Sequence, residues 1–136
     1  MKPKDIVKSF YDSNFYKDQE VLKSFIHPEC ELYWSSSGGF VKFNYSDIIV
    51  HGERIASSFK ELRPEISHVI AEDNFVTIRY TYYAVTYDHP EDEICLAHFI
   101  SIWEVKDDKL YRCHEMSQMA DENAVDNNAY LSIKVS

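Results

Sequence analysis

Glu115 is the acidic side chain of this sequence that is best placed to move a proton. It lies in the strand-like run from Leu110 to Met119, two residues after Cys113 and therefore on the same face of that strand. A carboxyl group desolvated in an apolar cavity has a raised pKa, which would let Glu115 act as a general acid or base near neutral pH. The structural alternative is a solvated carboxylate, or one held by Arg112 or by tyrosine hydroxyls.

Aromatic side chains could form the wall of a binding pocket. They make up 15% of the chain, and Trp34, Tyr80, Tyr82, Phe99 and Trp103 fall on strand-like segments. As a set they could hold a flat or lipophilic molecule, and the hydroxyl of Tyr80 or Tyr82 could donate a hydrogen bond to a developing oxyanion. The alternative is plain core, in which burial of each ring stabilises the fold by roughly 1.5 to 3 kcal/mol.

The histidines and cysteines have no spacing typical of a metal site or a nucleophile. A zinc site would need His98 and His114 to converge, and the sequence has neither a Cys-x-x-Cys nor a His-x-x-x-His spacing. Cys113 and His114 are neighbours on a strand and therefore point to opposite faces. We predict no metal and no cofactor, and reduced, buried thiols at Cys30, Cys95 and Cys113.

Length and charge limit the classes of partner. A chain of 136 residues is long enough for one domain whose core needs no metal or disulfide. Its net charge is −9, and no segment concentrates lysine or arginine, so neither nucleic acid nor an anionic membrane is an expected partner. No apolar run reaches the roughly 18 residues of a membrane span, and the N-terminus lacks a signal-like apolar core. We therefore predict a soluble, cytoplasmic protein.

Three long strands joined by tight turns form the centre of the prediction. They run from Phe75 to Tyr87, from Ile94 to Val105 and from Leu110 to Met119, and must be antiparallel neighbours. Alternation places Val76, Ile78, Tyr80, Tyr82 and Ala84 on an inner face. With Tyr87 opposite Ile94, the second strand adds Ala97, Phe99, Ser101, Trp103 and Val105 to that face. The outer face carries Thr77, Arg79, Thr81, Tyr83, Val85, His98, Ile100 and Ile102, and we expect it to be covered as well.

The chain before these strands is predicted to form three helices and two strands. The helices run from Pro3 to residues 14–16, from the N-cap Asp18 to His27-Pro28, and from the N-cap Ser46 to Arg63-Pro64. The strands are Glu31–Trp34 and Ile66–Glu72, and a flexible loop follows the first of them. Gly52, inside the third helix, indicates a close approach to the sheet.

This order of elements resembles that of the nuclear transport factor 2-like superfamily. Three stretches are similar to its polyketide-cyclase (SnoaL)-like branch: the helix GERIASSFKEL, the strand pair HVIAEDNFVTIRYTY and the hairpin WEVKDDKLYRCHE. The resemblance implies an α+β fold of the cystatin-like kind, in which a curved antiparallel sheet forms a cone around the N-terminal helix and three helices are present. It implies a domain over residues 1–120 and a C-terminal tail over residues 121–136.

Two enzymes of this superfamily allow a comparison position by position. The resemblance to ketosteroid isomerase places its oxyanion-hole tyrosine at Phe10, its base at Trp34 and its second oxyanion-hole acid at Ser101, so that activity is not expected. The resemblance to limonene-epoxide hydrolase places its water-activating aspartate at Glu115. The Arg-x-Asp of that enzyme reads Arg79-Tyr80-Thr81 here and lacks the second acid.

Residues and resemblance together leave three functions open. The first is binding of a small apolar or aromatic molecule without turnover, by a homodimer paired through the outer sheet face around Thr81, Tyr83, Ile100 and Ile102. The predicted ligand-binding residues are Phe10, Trp34, Tyr80, Tyr82, Phe99, Ser101, Trp103 and Cys113. The second is an enzyme of the lyase, isomerase or epoxide-hydrolase type, with Glu115 and Tyr80 as catalytic residues. The third is a protein-interaction module, as nuclear transport factor 2 itself is.

Overall fold

Residues 1–120 are described by the structure, a computed structural model in which three helices pack against a curved six-stranded sheet. The helices are α1 (Pro3–Asp12), α2 (Gln19–Phe25) and α3 (Tyr45–Ser58). The strands are β1 (Ile26–Ser36), β2 (Gly39–Phe43), β3 (Phe59–Glu72), β4 (Phe75–Thr86), β5 (Glu93–Lys106) and β6 (Lys109–Met119). The predicted α+β cone with three helices is confirmed, and the predicted tail, residues 121–136, lies outside the described residues.

Side-chain caps explain where α2 and α3 begin. Asp18 caps α2 as predicted, because its Oδ1 accepts a hydrogen bond of 2.9 Å from the backbone N–H of Glu20. The N-cap of α3 is Asn44 rather than the predicted Ser46. Asn44 and Asp47 form a capping box, in which each side chain accepts a hydrogen bond from the backbone N–H of the other residue.

The predicted third helix is too long, because strand pairing overrides its helical spacing. α3 ends at Ser58, and residues 59–63 instead begin β3, whose backbone pairs with the end of β4. A bulge between Phe59 and Glu61 fits the chain to that ladder. Pairing with β4 satisfies backbone groups that a further helical turn would leave without partners at its C-terminus.

The sheet is mixed rather than wholly antiparallel. Its strand order is β2-β1-β6-β5-β4-β3, and β1 runs parallel to β6 while the other neighbours are antiparallel. β2 is absent from the prediction; it forms a hairpin with β1 across residues 36–39, where the sequence predicts a flexible loop. A parallel pair is possible because α3 and the three strands β3 to β5 lie between β1 and β6 in the chain. This pairing puts Trp34 opposite Glu115.

The faces of the central strands are as predicted, although the predicted register between them is wrong. Ile94 lies opposite Ala84 instead of Tyr87, because the connection between β4 and β5 is longer than a tight turn. Tyr80 pairs with Phe99, two residues away from the partner that the predicted register assigns to it. From Val76 to Tyr82 the shift is two residues, which leaves each side chain on its predicted face. Beyond the bulge that follows Tyr82 the shift is three residues, which places Ile94 on the inner face beside Ala84.

Burial is complete at the centre of the inner face and incomplete on part of the outer face. Val76, Ile78 and Tyr80 on the inner face are at most 1% exposed, whereas Ile100 and Ile102 on the outer face are 44% and 42% exposed. α1 packs into the cone with its buried stripe Ile6, Val7, Phe10 and Tyr11. None of the helices within residues 1–120 is both long and apolar enough to cross a membrane.

Gly52 marks a close approach between α3 and α2, not the predicted approach to the sheet. A Cβ atom at Gly52 would lie 2.5 Å from Cδ2 of the buried Leu22. We expect Gly52→Ala to destabilise the fold by about 1–2 kcal/mol, because overpacking outweighs the roughly 1 kcal/mol that alanine gains in a helix. Urea unfolding of wild type and Gly52→Ala measures this loss of stability. In a Leu22→Ala background the same change should stabilise, and equal effects in both backgrounds would contradict the contact.

Candidate functional site

A cavity of about 460 Å³ lies between the inner face of the sheet and the three helices. Nine aromatic side chains of residues 1–120 line it: Phe10, Tyr11, Phe15, Trp34, Phe59, Tyr80, Tyr82, Phe99 and Trp103. Other polar side chains of the lining are Ser36, Ser37, His51, Glu115 and Ser117, and no lysine or arginine of residues 1–120 lines the cavity. Such a wall suits a flat, largely apolar molecule that carries no negative charge.

Glu115 projects from β6 into this cavity. Its Oε1 atom accepts hydrogen bonds from the hydroxyls of Ser101, at 2.7 Å, and Tyr80, at 3.4 Å. No hydrogen bond from residues 1–120 reaches Oε2, and Glu115 is only partly buried and lines the cavity. The carboxyl group is therefore held by one oxygen and open to the cavity through the other.

Burial raises the pKa of Glu115 from 4.5 to about 7, and the hydrogen bonds from Ser101 and Tyr80 offset part of that rise by stabilising the carboxylate. The carboxyl group is thus close to half protonated at neutral pH. A group poised in this way can either give or take a proton with a small change in free energy.

A chain of hydrogen bonds connects Glu115 to α1. The Nε1–H of Trp103 donates to the Tyr11 hydroxyl at 3.0 Å, and the hydroxyl oxygens of Tyr11 and Tyr80 are 3.1 Å apart. Tyr80 continues the chain to Glu115 and to the hydroxyl of Ser101, which is 3.1 Å away. Burial raises the pKa of both tyrosines well above the usual value, so both remain neutral hydroxyls.

Tyr11 is a site residue that the sequence reasoning misses. The sequence pattern indicates only that Tyr11 belongs to the apolar stripe of α1. The resemblance to ketosteroid isomerase assigns the oxyanion-hole tyrosine to Phe10, one residue earlier. The signal that could have found it is its hydroxyl, since a tyrosine on a buried stripe needs a hydrogen-bond partner. That partner is Tyr80, 69 positions further along the chain.

We expect Ser101→Ala to raise the pKa of Glu115 further, by about one unit, because the carboxylate loses its shortest hydrogen bond. An NMR titration of the Glu115 carboxyl carbon measures this pKa. Ser117→Ala is the matched control, since Ser117 also lines the cavity but its hydroxyl accepts from Trp34 Nε1–H instead. Equal pKa values in the two variants would contradict the role of Ser101.

His51 is a second polar group of the cavity that the sequence reasoning does not single out, and it comes from α3. Its ring packs against Trp34 and Phe43, with centroids 5.6 Å and 5.3 Å away. Burial, with a smaller effect of Arg54, lowers the pKa of His51, so the imidazole is neutral at pH 7. Residues 1–120 therefore supply the cavity with one titrating acid and one neutral imidazole.

Comparison with known proteins identifies the fold. No protein-family model matches the chain, and no curated protein matches it by sequence. AclR from Streptomyces galilaeus, a proposed hydroxylase, superposes with a TM-score of 0.71 at 16% identity, over 90% of this chain and 83% of that chain. A proposed SnoaL-like polyketide cyclase from Shewanella denitrificans gives a TM-score of 0.66 at 11% identity, over 92% and 94%.

An NTF2-like protein of unknown function from Burkholderia pseudomallei gives a TM-score of 0.63 at 13% identity, over 85% of this chain and 90% of that chain. This chain has the nuclear transport factor 2-like fold. The predicted resemblance is thereby confirmed for the architecture. At identities of 11–16%, the likeness to these three proteins is one of fold.

Within this nuclear transport factor 2-like cone, six of the eight predicted ligand-binding residues line the cavity: Phe10, Trp34, Tyr80, Tyr82, Phe99 and Trp103. The other two do not line it. Ser101 is fully buried and contacts Glu115 rather than the cavity, and Cys113 is fully buried in the core cluster. Both lie on the inner face, but close packing leaves no open space beside them. The binding roles of the six lining residues stay predictions.

Cys30, Cys95 and Cys113 are not joined by disulfide bonds. Cys30 and Cys113 are buried as predicted, and burial raises the pKa of both thiols, which keeps them unreactive. Cys95 is only partly buried, contrary to the prediction, because it lies next to the bulge that separates the Tyr82 and Tyr83 pairings of β4.

Two arrangements considered from the sequence are not formed in this nuclear transport factor 2-like fold. The Arg79 side chain donates from Nη1 to the Ser67 hydroxyl at 2.7 Å and does not line the cavity, so the Arg-x-Asp pattern of limonene-epoxide hydrolase has no counterpart there. His98 and His114 do not converge. His98 lies opposite Gln118, whereas the His114 ring stacks on that of Tyr33 with centroids 5.0 Å apart.

Proposed function

We propose that this protein binds a small, largely apolar ring compound in its aromatic cavity and that Glu115 transfers a proton to or from it. The observation that carries the proposal is the position of Glu115, with one carboxyl oxygen held by two hydroxyls and the other open to the cavity. The reaction class is that of an isomerase or lyase, in which a proton moves to or from a carbon or oxygen atom of the ligand.

The size and polarity of the cavity support the ligand class. Its volume of about 460 Å³ is within the range typical of small-molecule sites. A carboxylate or phosphate ligand would find no cationic side chain in the part of the lining that residues 1–120 supply, and an unpaired buried charge is strongly unfavourable. The SnoaL-like polyketide cyclase among the similar structures further supports a ring-containing substrate.

Proton transfer is favoured over binding alone because of where the carboxyl group is buried. An apolar side chain at position 115 would bind an apolar molecule equally well and would avoid the cost of desolvating a carboxylate. Titratable groups with pKa values moved towards neutrality are typical of catalytic sites. Ketosteroid isomerase activity itself is not expected, since Trp34 occupies the position that the comparison assigns to the base of that enzyme.

The test begins with the ligand. Native mass spectrometry of the purified protein, followed by thermal-shift screening with fused-ring ketones, phenols and quinones, identifies compounds that bind. Proton transfer is then measured by NMR as exchange of the hydrogens next to the ketone carbonyl for solvent deuterium. We expect exchange with the wild-type protein and with Glu72→Gln, whose side chain is exposed on β3, but not with Glu115→Gln. Wild-type protein that binds a ketone without exchange would contradict the enzymatic part of the proposal.

The proposal includes a homodimer formed through the outer face of the sheet. Two residues of the predicted interface, Ile100 and Ile102, are exposed, and Ile70, Phe75 and Met116 extend the apolar patch across the neighbouring strands. A patch of this kind is typical of an interaction surface. We expect a dimer in sedimentation at micromolar concentration and a monomer for Ile102→Lys. A wild-type monomer would remove this part of the proposal.

The other two residues predicted for that interface are already buried within one chain. The Thr81 hydroxyl lies 2.8 Å from Nδ1 of His98, and the guanidinium of Arg63 covers the Tyr83 ring at 4.4 Å from its centroid. Long polar side chains of neighbouring strands thus cover this end of the outer face. The proposed interface is therefore centred on Ile100 and Ile102.

A further inference from the structure

We propose that neutral Glu115 carries its proton on Oε2, the oxygen on the cavity side, and that the ligand presents a neutral hydrogen-bond acceptor, such as a ketone oxygen, to that atom. This inference rests on the proposed function and specifies the ligand class and the donor atom. It follows from the direction in which the hydrogen bonds of the site must run.

Trp103 fixes the direction of donation at one end of this chain of hydrogen bonds. An indole N–H can donate but cannot accept, so Trp103 donates to the Tyr11 oxygen at 3.0 Å. Tyr11 must then use its own proton elsewhere. Among residues 1–120, the acceptor within reach of the Tyr11 hydroxyl is the Tyr80 oxygen at 3.1 Å.

Glu115 lies at the other end of this chain of hydrogen bonds. Tyr80 donates to the Ser101 or Glu115 oxygen, at 3.1 Å and 3.4 Å, and Ser101 donates to Glu115 Oε1 at 2.7 Å. In this direction every hydroxyl has an acceptor. In the opposite direction the Tyr11 proton would find none among the described residues, and a buried donor without a partner is strongly disfavoured.

The carboxyl group is therefore the accepting end of the chain. Its Oε1 atom faces the hydroxyl donors of Ser101 and Tyr80, and an acid proton on that same oxygen would point at them. The proton of neutral Glu115 accordingly sits on Oε2 and faces the cavity. A ligand that accepts this hydrogen bond fits the site, whereas a carboxylate ligand would also lack a cationic partner there.

This arrangement changes the role predicted for Tyr80. The sequence reasoning assigns its hydroxyl to a developing oxyanion on the ligand. The Tyr80 side chain is 1% exposed, and its proton is used on Ser101 or Glu115. Tyr80 is therefore a positioning residue that acts through Glu115.

Within residues 1–120, the other titratable groups that line the cavity or lie beside Glu115 keep their charge near pH 7. They are Tyr11 from α1, Tyr80 and Tyr82 from β4, Cys113 from β6 and His51 from α3. Burial raises the pKa of the tyrosines and of the thiol, and burial lowers that of the imidazole, so all five are neutral. β1 and β5 contribute Trp34 and Ser101, which do not titrate. Binding of a neutral acceptor should therefore follow the protonation of Glu115.

The test compares three probes of similar size: acetylnaphthalene, the hydrocarbon isopropenylnaphthalene, which has the same shape, and the anion naphthoate. Dissociation constants are measured at pH 6 and pH 8.5. We expect the ketone to bind about 10-fold more tightly than the hydrocarbon at pH 6 and to lose this preference at pH 8.5, where Glu115 is ionised. Naphthoate should bind more weakly than the ketone at pH 6. A ketone preference that is absent, or equal at both pH values, overturns the inference.

Two variants locate the donor. In Glu115→Gln the amide N–H₂ donates at every pH, so the ketone preference should persist at pH 8.5. In Tyr80→Phe the carboxylate loses a hydrogen bond, so the preference should remain and its midpoint should move to a pH above 7. Loss of the preference at pH 6 in Tyr80→Phe would show that Tyr80 itself donates to the ketone and would overturn the inference.

These measurements are independent of turnover. A pH-dependent ketone preference without deuterium exchange would contradict proton transfer by Glu115 but support the placement of its proton. Deuterium exchange that depends on Glu115, together with a ketone preference that is equal at pH 6 and pH 8.5, would support proton transfer by Glu115. It would contradict the placement of the Glu115 proton on Oε2.

Discussion

Replacing Glu115 with glutamine is expected to slow proton transfer to a bound ketone by about 10²- to 10⁴-fold and to stabilise the folded protein at pH 8.5 by about 2–3 kcal/mol. The rate falls because an amide cannot exchange a proton with the ligand as a carboxyl group does. Stability rises because the amide avoids the burial of a negative charge, the cause of the raised pKa of Glu115. Opposite effects on activity and stability are typical of a residue retained for function.

The sign of the pH dependence follows from the direction of the pKa shift. The folded protein binds the Glu115 proton more tightly than the unfolded chain, so stability is fully present below about pH 4.5 and is lost as the pH rises through about 7. The rise in the pKa of Glu115 from 4.5 to about 7 corresponds to about 3 kcal/mol of unfolding free energy. Access of solvent to the carboxyl group through the cavity reduces this value. In urea unfolding, the free energies of unfolding of wild type and Glu115→Gln should therefore be equal at pH 4, and that of Glu115→Gln should be larger at pH 8.5.

Glu72→Gln is the control for this comparison, because Glu72 is exposed at the end of β3. Its unfolding free energy should match that of wild type at both pH values, within about 0.5 kcal/mol. If Glu115→Gln stabilised the protein equally at pH 4 and pH 8.5, its effect would not come from the buried charge.

Replacing Phe10 with alanine is expected to destabilise the protein by about 3–4 kcal/mol. Phe10 is 6% exposed and joins α1 to its surroundings, since its ring stacks on Phe15 at 4.3 Å and meets the Phe25 and Trp103 rings edge-on at 5.5 Å and 6.2 Å. Alanine would remove these contacts and enlarge the cavity that Phe10 lines. Chemical denaturation with urea measures the loss.

Phe40→Ala removes the same atoms from an exposed position and serves as the matched control. Phe40 is 62% exposed, and its ring stacks on that of Tyr33 at 6.4 Å. We expect it to cost less than about 1 kcal/mol. Similar losses for the two variants would mean that Phe10 lines a loosely packed pocket wall and does not hold α1 in the cone.

Part of this architecture is readable from local patterns. The inner and outer faces of β4, and of β5 from Ala97 onward, are correct although the register is wrong, because alternation has a period of two and the error there is also two residues. Caps are equally local, and Asp18 is assigned correctly. The end of α3 and the whole of β2 are not readable in this way, since pairing with β4 and β1 decides them.

The residues of the site likewise fall into those that local patterns predict and those that tertiary packing decides. Glu115 and the six lining residues predicted for the pocket follow from strand alternation together with the resemblance to known folds. Tyr11 and His51 come from helices whose rotation against the sheet is set by packing, and their partners Tyr80 and Trp34 are distant in the chain.

Local periodicity and side-chain type suffice to say which residues of this protein face inward and which of them can carry a proton. The proton affinity of Glu115, the direction of the hydrogen bonds that reach it and the exclusion of Ser101 and Cys113 from the cavity wall arise only when α1, β4, β5 and β6 meet. The physical reason is that desolvation and hydrogen bonding depend on what surrounds an atom in space, whereas a sequence pattern reports only which way its side chain points.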